Sequence, residues 1–138
     1  RSVSGNHALS SSFLPMANLH LRSFPRSKFV DSEEVLLSTI DLELKSLGID
    51  STSVALKLDV QGFEYEVLKG AKNSLKTIKC CIIEISLASL YEGEPDLSEV
   101  LNLLTESNHF VVDIFRGVKS PNGDLLQIEV ITKNFYEP

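Results

Sequence analysis

The chain has 138 residues, 43% of them hydrophobic and 23% charged, with a net charge of −6; that is enough for one domain with a real core and is not the composition of a disordered or fibrous chain. A pI near 5.0 and the lack of a Lys/Arg cluster point away from nucleic acid and from anionic membranes as direct partners. No apolar run approaches the roughly 18 residues of a membrane span.

Residues 1–33 are Ser-rich and irregular, punctuated by Pro15 and Pro25, and the chain opens on Arg1 and not on Met. It therefore reads as a piece of a longer protein or a processed form. Leu19, Leu21 and Phe24 suggest a short strand. A second short strand is expected near Val35 to Ser38. One or two helical turns follow from Asp41, with Leu42, Leu44 and Leu47 inward and Gly48 as the stop.

From Ser53 the pattern sharpens. Val54 to Val60 reads as a strand. Phe63, Val67, Leu68, Ala71, Leu75 and Ile78 recur at helical spacing, which predicts a helix from about Glu64 to Thr77. Cys80 to Leu87 is nearly continuous apolar sequence, the mark of a strand covered on both faces. Asp96 and Glu99 form a capping box ahead of a second helix. Phe110 to Arg116 is a third strand. The sequence S-P-N-G-D is a turn, with Asn122-Gly123 suited to positive φ. Leu126, Ile128 and Val130 then alternate along a final strand.

Strands bridged by helices are expected to run parallel, and the last pair, joined by a turn, antiparallel. The expected fold is α/β: half of a doubly wound sheet whose final strand is reversed. One domain is expected over 1–138, with 1–52 an irregular insertion with short strands and 53–138 the sheet-helix core. Cys80 and Cys81 are adjacent, so they make neither a C-x-x-C pair nor a useful disulfide. Two buried thiols fit a reducing compartment, and a cytoplasmic location is the expectation.

In open parallel sheets, ligands sit at the carboxyl ends of the strands. Asp59 lies near such an end, and Glu84 interrupts the apolar run of the next strand. A carboxylate there must be hydrogen-bonded, paired or facing a polar cavity. Gln61 offers both a donor and an acceptor, and Gly62 allows close backbone approach. Simpler readings stay open. Asp59 would cap its helix, Glu84 would pair with Lys57 or Lys79, and Glu64 and Glu66 would oppose the helix dipole. Gly70, in mid-helix, implies close packing onto the sheet. His7, His20 and His109 show no metal-ligand spacing, so no metal is expected. Ser10 to Ser12 sit in no G-x-S-x-G elbow. Among the seven glycines no two are spaced as G-x-G, the pair on which nucleotide-type cofactors lean.

The stretch L-K-L-D-V-Q-G-F-E-Y-E-V-L-K-G-A, residues 56–71, resembles the signature of FkbM-type methyltransferases. There a strand ending in D-V-(E or Q)-G leads into a helix reading roughly E-x-E-V-L-x-G-A. S-S-S-F-L-P, V-L-L-S-T-I-D-L-E-L, I-I-E-I-S-L-A-S-L-Y-E-G-E-P and G-D-L-L-Q-I-E-V-I-T-K-N resemble further segments of that family, so the likeness covers roughly residues 10–133.

The resemblance implies the C-terminal portion of a Rossmann-like class I methyltransferase sheet, partial here, with S-adenosylmethionine as cofactor. The implied reaction is O-methylation of a hydroxyl on a small-molecule acceptor, a sugar or natural product. By the same resemblance Asp59 and Glu84 are the catalytic candidates, and Asp59, Gln61 and Gly62 the cofactor-binding ones. Ser11, Ser12 and Glu64 are the candidates for touching the substrate. The glycine-rich half of the cofactor site would precede Arg1, so the isolated chain is expected to be inactive. The alternatives are a non-catalytic methyltransferase-like binding module and a truncated fragment. Its sheet edge at Leu56 to Val60 would expose unpaired backbone, unless the N-terminal segment, the missing N-terminal half or a second copy in a homo-oligomer covers it.

Overall fold

The computed structural model describes residues 1–4 and 11–135. In chain order the elements are β1 (Ser2–Ser4), α1 (Asn18–Ser23), β2 (Phe29–Ser32), α2 (Ile40–Leu47), β3 (Ala55–Leu58), α3 (Glu64–Lys69), β4 (Cys80–Ser86), α4 (Leu97–Glu106), β5 (His109–Arg116) and β6 (Gln127–Asn134). The α/β expectation is met by a four-stranded sheet in the order β3-β4-β6-β5. β3 and β4 run parallel, while β6 is antiparallel to both β4 and β5. β4 and β5 therefore share a direction, and β6 lies between them. His7 and Ser10 fall outside the described residues.

The core explains the sheet. β4 buries Cys81, Ile83 and Ile85 on one face, against Leu68, Leu75, Ile78, Val100 and Leu104. Each such side chain contributes about 2 kcal/mol of apolar burial. The other face of β4, carrying Cys80, Ile82, Glu84 and Ser86, is only half-buried. The expected strand covered on both faces is thus corrected. α3 and α4 pack on the same side, and the opposite side opens toward a cleft. α4 starts at the capping box read from sequence, with Asp96 accepting from the Glu99 amide at 2.9 Å and Glu99 reaching back to the Asp96 amide at 3.0 Å.

Four local expectations change. Leu19 and Leu21 lie on α1 and not on a strand. Alternating apolar and polar residues fit either period over so short a stretch, and Pro25 then stops the helix. Val35 to Ser38 makes no strand; among the described residues it pairs with no other strand, and Leu36 and Leu37 lie exposed. α2 ends at Gly48 with φ 65° as expected, but Leu42 and Leu47 are 59% and 67% exposed. Only Ile40 of that helix packs on the main core. Finally, α3 ends at Lys69 and the chain continues as turns to Thr77. Leu68 on α3 and, beyond it, Ala71, Leu75 and Ile78 all stay buried at the predicted spacing, the last three without α-helical backbone.

Asp41 explains the break in α3. Its carboxylate accepts from the amide and side chain of both Asn73 and Ser74, at 2.6 to 3.0 Å, drawing the chain out of the helix. Gly70 is needed for a close approach, but to α2 and not to the sheet. A Cβ there would lie 3.2 Å from the Thr39 Cβ.

A second apolar cluster of Met16, Leu90, Tyr91 and Leu126 fastens residues 12–24 across the 88–94 loop. This brings the N-terminal segment beside the carboxyl ends of β3 and β4. β3 forms one edge of the sheet and β5 the other. Phe110, Ile114 and Phe115 on β5 are exposed. No helix among the described residues is long and apolar enough to cross a membrane.

Candidate active site

The turn after β3 is built from two consecutive residues with positive φ, Gln61 at 55° and Gly62 at 91°. For glutamine that conformation costs on the order of 1 kcal/mol, so the surroundings must hold it there. They do so from three sides. Ser12 Oγ donates to the Gln61 carbonyl at 2.6 Å. Glu64 folds back from the first turn of α3 and accepts from the Val60 and Gly62 amides at 2.9 and 3.0 Å. The Tyr91 ring packs against Gly62, where a Cβ would come within 2.7 Å of the ring.

The Gln61 side chain is thereby aimed between two carboxylates. Its Oε1 accepts from the Tyr91 hydroxyl at 2.8 Å. That bond fixes the amide, and Nε2 donates to Asp59 at 2.8 Å and to Glu84 at 3.4 Å. Gln127, the first residue of β6, gives a second amide to Glu84 at 2.9 Å. Both amides bond the same oxygen, Oε2, while Oε1 takes no hydrogen bond among the described residues. Asp59 stands half-exposed at the strand end, 4.0 Å from the Lys57 ammonium.

These side chains line a cleft of roughly 300 Å³. Asp59, Gln61, Glu84 and Gln127 form its polar floor, while His20, Phe24 and Ser27 from the N-terminal segment form a wall. A larger hollow of roughly 370 Å³ between α3 and α4 presents Lys69, Lys72 and Lys76 over Leu68 and Leu103. Its one carboxylate among the described residues is Glu106, whereas two converge in the strand-end cleft, which is therefore the candidate site.

Burial, then the nearby charges of Asp59 and Glu64, push the Glu84 carboxyl up from its ordinary 4.5 to about 7. A carboxylate in that range exchanges a proton easily near neutrality. Burial also raises Glu64 and Tyr91, whose phenol stays protonated and donates to Gln61.

The sequence candidates divide accordingly. Asp59, Gln61 and Glu84 converge on the cleft. Asp59 does not cap α3, whose N-terminal residue Phe63 makes no side-chain cap. Glu84 does not pair with Lys57 or Lys79; the Lys57 ammonium sits on Glu129 at 3.2 Å instead. Gly62 approaches the Tyr91 ring and not the cleft. Ser12 and Glu64 both bond the turn's backbone, Ser12 at the Gln61 carbonyl and Glu64 at the Val60 and Gly62 amides. Ser11 is half-buried beside them. Gln127, Tyr91 and His20 were not singled out as site residues from the sequence. Gln127 enters only through the β4–β6 register, which sets it opposite Ser86.

Comparison with known proteins bears on the family. The family model described as methyltransferase FkbM domain matches residues 2–112. The 2-O-methyltransferase NoeI of Sinorhizobium fredii (strain NBRC 101917 / NGR234) is 32% identical over 107 residues, which are 78% of this chain and 42% of that protein. The chain thus spans less than half the length of that curated relative. No solved structure matches it.

Proposed function

This chain belongs to the FkbM methyltransferase family, and on that premise we propose that the protein transfers a methyl group from S-adenosylmethionine to a hydroxyl of a sugar or natural-product acceptor in the Asp59–Glu84 cleft. The relative's printed name, a 2-O-methyltransferase, supports oxygen as the accepting atom. The strand order, with a reversed β6 between β4 and β5, supports a Rossmann-like class I sheet of which this chain forms the later part. The observation that carries the reading is Glu84: a carboxylate raised to about 7, held by two amides on one oxygen, with the other meeting no donor among the described residues.

The residues present fit the methionine end of the cofactor. Two carboxylates at a strand end complement its ammonium and sulfonium charges. No G-x-G pair in the sequence fits the adenosine end. When bound, the cofactor supplies a methyl group activated by the positive sulfur. Asp59, half-exposed, holds the cationic end. Glu84 accepts the hydrogen bond, and then the proton, of the acceptor hydroxyl as its oxygen forms the new C–O bond. Gln61 keeps the two carboxylates in register, and Gln127 holds Glu84 against the sheet. Phe24 and Val118 exclude water from the wall.

A second reading, a non-catalytic binding module, is favoured by the missing G-x-G pair. Calorimetry of the chain with S-adenosylmethionine separates the two. The methyltransferase reading expects saturable binding that Asp59→Asn weakens about tenfold, the loss of one charge-assisted contact. Absence of binding by the unaltered chain leaves the module reading. Binding unchanged in Asp59→Asn removes Asp59 from the site.

A further inference from the structure

Glu64 is the first residue of α3 and is only 7% exposed. A glutamate that opens a helix is ordinarily solvated, since opposing the helix dipole does not require burial. This one turns back toward β3 and divides its two oxygens. Oε1 accepts from the Val60 amide at 2.9 Å and Oε2 from the Gly62 amide at 3.0 Å. The two amides belong to the residues on either side of Gln61, which the fold holds at a φ of 55°.

The Gln61–Gly62 peptide is pinned at both ends. Ser12 Oγ donates to its carbonyl, and Glu64 Oε2 accepts from its amide. With both ends fixed the peptide cannot turn, and the Gln61 side chain is directed at Asp59, Glu84 and the Tyr91 hydroxyl. Holding both amides takes an ionised carboxylate. Once protonated, one of its oxygens carries a hydrogen and is a donor, so one of the two amides loses its acceptor away from water. The turn then keeps one of its two anchors on α3, and Gln61 is free to leave the unfavourable left-handed region. We infer that Glu64 is the latch of the cleft: charged, it holds Gln61 between the two carboxylates, and neutral, it releases Gln61 and takes the cleft apart while the sheet stays folded.

The surroundings bring that proton within reach. Burial, with the charge of Glu94 adding to it, raises the Glu64 carboxyl above its ordinary 4.5, against the pull of the amide bonds. The titratable groups that bear on it are Glu94 and Tyr91 of the 88–94 loop and Glu84 of β4. Tyr91 stays neutral, and each of the two acids assists protonation of Glu64 for as long as it keeps its own charge. The N-terminal segment meets the turn through the Ser12 hydroxyl, which does not titrate. The latch concerns how the cleft is arranged, so it stands apart from the identity of what the cleft binds.

The test is a titration of the intact chain from about pH 8 to about pH 4, across the carboxyl range, followed by proton–nitrogen NMR. The backbone amides of Val60 and Gly62 report on Glu64, and the side-chain amide of Gln61 reports on the cleft. In acid the Val60 and Gly62 signals are expected to lose the downfield shift that a carboxylate acceptor imposes, with a midpoint above 4.5. The Gln61 side-chain signals should move with them at the same midpoint, while the amides of β4 and β6 stay in place. The same titration in Glu84→Gln removes the ionisation of Glu84 from the Gln61 signals and should leave the coupled step intact. In Glu64→Gln the side-chain nitrogen is a donor set among donors. That variant should show the released Gln61 signals already at neutral pH, with no acid step. A step at Val60 and Gly62 that leaves Gln61 unmoved would overturn the inference, as would a step in which the β4 and β6 amides are lost together with it. So would a Glu64→Gln chain whose Gln61 signals match those of the unaltered protein at neutral pH. If Glu64→Gln does not fold, the other two titrations still decide.

Discussion

Glu84→Gln is the substitution that separates the site's electrostatics from its packing. Glutamine has the same shape, and its carbonyl can still accept from Gln61 and Gln127. Only the titrating charge is lost. In the folded chain the Glu84 carboxyl sits at about 7, against an ordinary 4.5. Because the folded value is raised, its contribution to stability is fully present below about pH 4.5 and is lost as the pH rises through about 7. At about 1.4 kcal/mol for each pH unit of displacement the upper bound is about 3 kcal/mol. Glu84 is half-buried, and solvent screening reduces this to about 2 kcal/mol.

Urea unfolding of both proteins between about pH 5 and about pH 8 gives the comparison. His20 and His109, both lowered by burial, work in the opposite direction. Each disfavours the fold as pH falls through the ordinary histidine range. Their effect is common to both proteins and cancels in the difference. Glu84→Gln should therefore gain about 2 kcal/mol on the unaltered chain between acidic and mildly alkaline pH. Parallel pH profiles would refute the claim that Glu84 is displaced toward neutrality, and with it the proton-accepting role. Methyl transfer, where it is measured, should fall about a hundredfold or more in the same variant, the usual loss for a removed general base.

The turn that aims Gln61 offers two more tests. Gly62→Ala meets both a φ of 91° and the Tyr91 ring 2.7 Å from the new Cβ, and it should cost about 3 kcal/mol or more in urea unfolding; a loss under about 1 kcal/mol would mean the ring moves freely. Tyr91→Phe leaves Gln61 Oε1 without its donor and should cost about 1–2 kcal/mol. It should also lower methyl transfer by loosening the amide between the carboxylates, and unchanged stability and rate together would show that the bond is not held in solution.

How much of this was legible beforehand depended on how local the cause was. The capping box at Asp96 and Glu99, the stop at Gly48 and the existence of the strand read as Cys80 to Leu87 and found at Cys80–Ser86 follow from neighbours in sequence. The burial of Leu68, Ala71, Leu75 and Ile78 was also legible. The end of the α-helix at Lys69 was not, because the Asp41 carboxylate that draws the following chain out of the helix comes from 32 residues upstream. The bonds of Ser12 and Glu64 to the backbone around Gln61 were not legible, since a polar residue's nearest partner is invisible without the third dimension.

The sequence by itself determined most elements of the 53–138 core, the α/β class and the polar trio near the strand ends, Asp59, Gln61 and Glu84. Those follow from periodicity and from the cost of placing polar groups beside a core. Only the tertiary structure decided what the trio faces. The insertion of β6 beside β4 brought Gln127 to Glu84, and the strap of residues 12–24 brought His20 to the opposite wall. Both depend on pairings between segments distant in the chain. The local pattern cannot specify them, because many registers would bury the same apolar residues and only one aligns these polar groups.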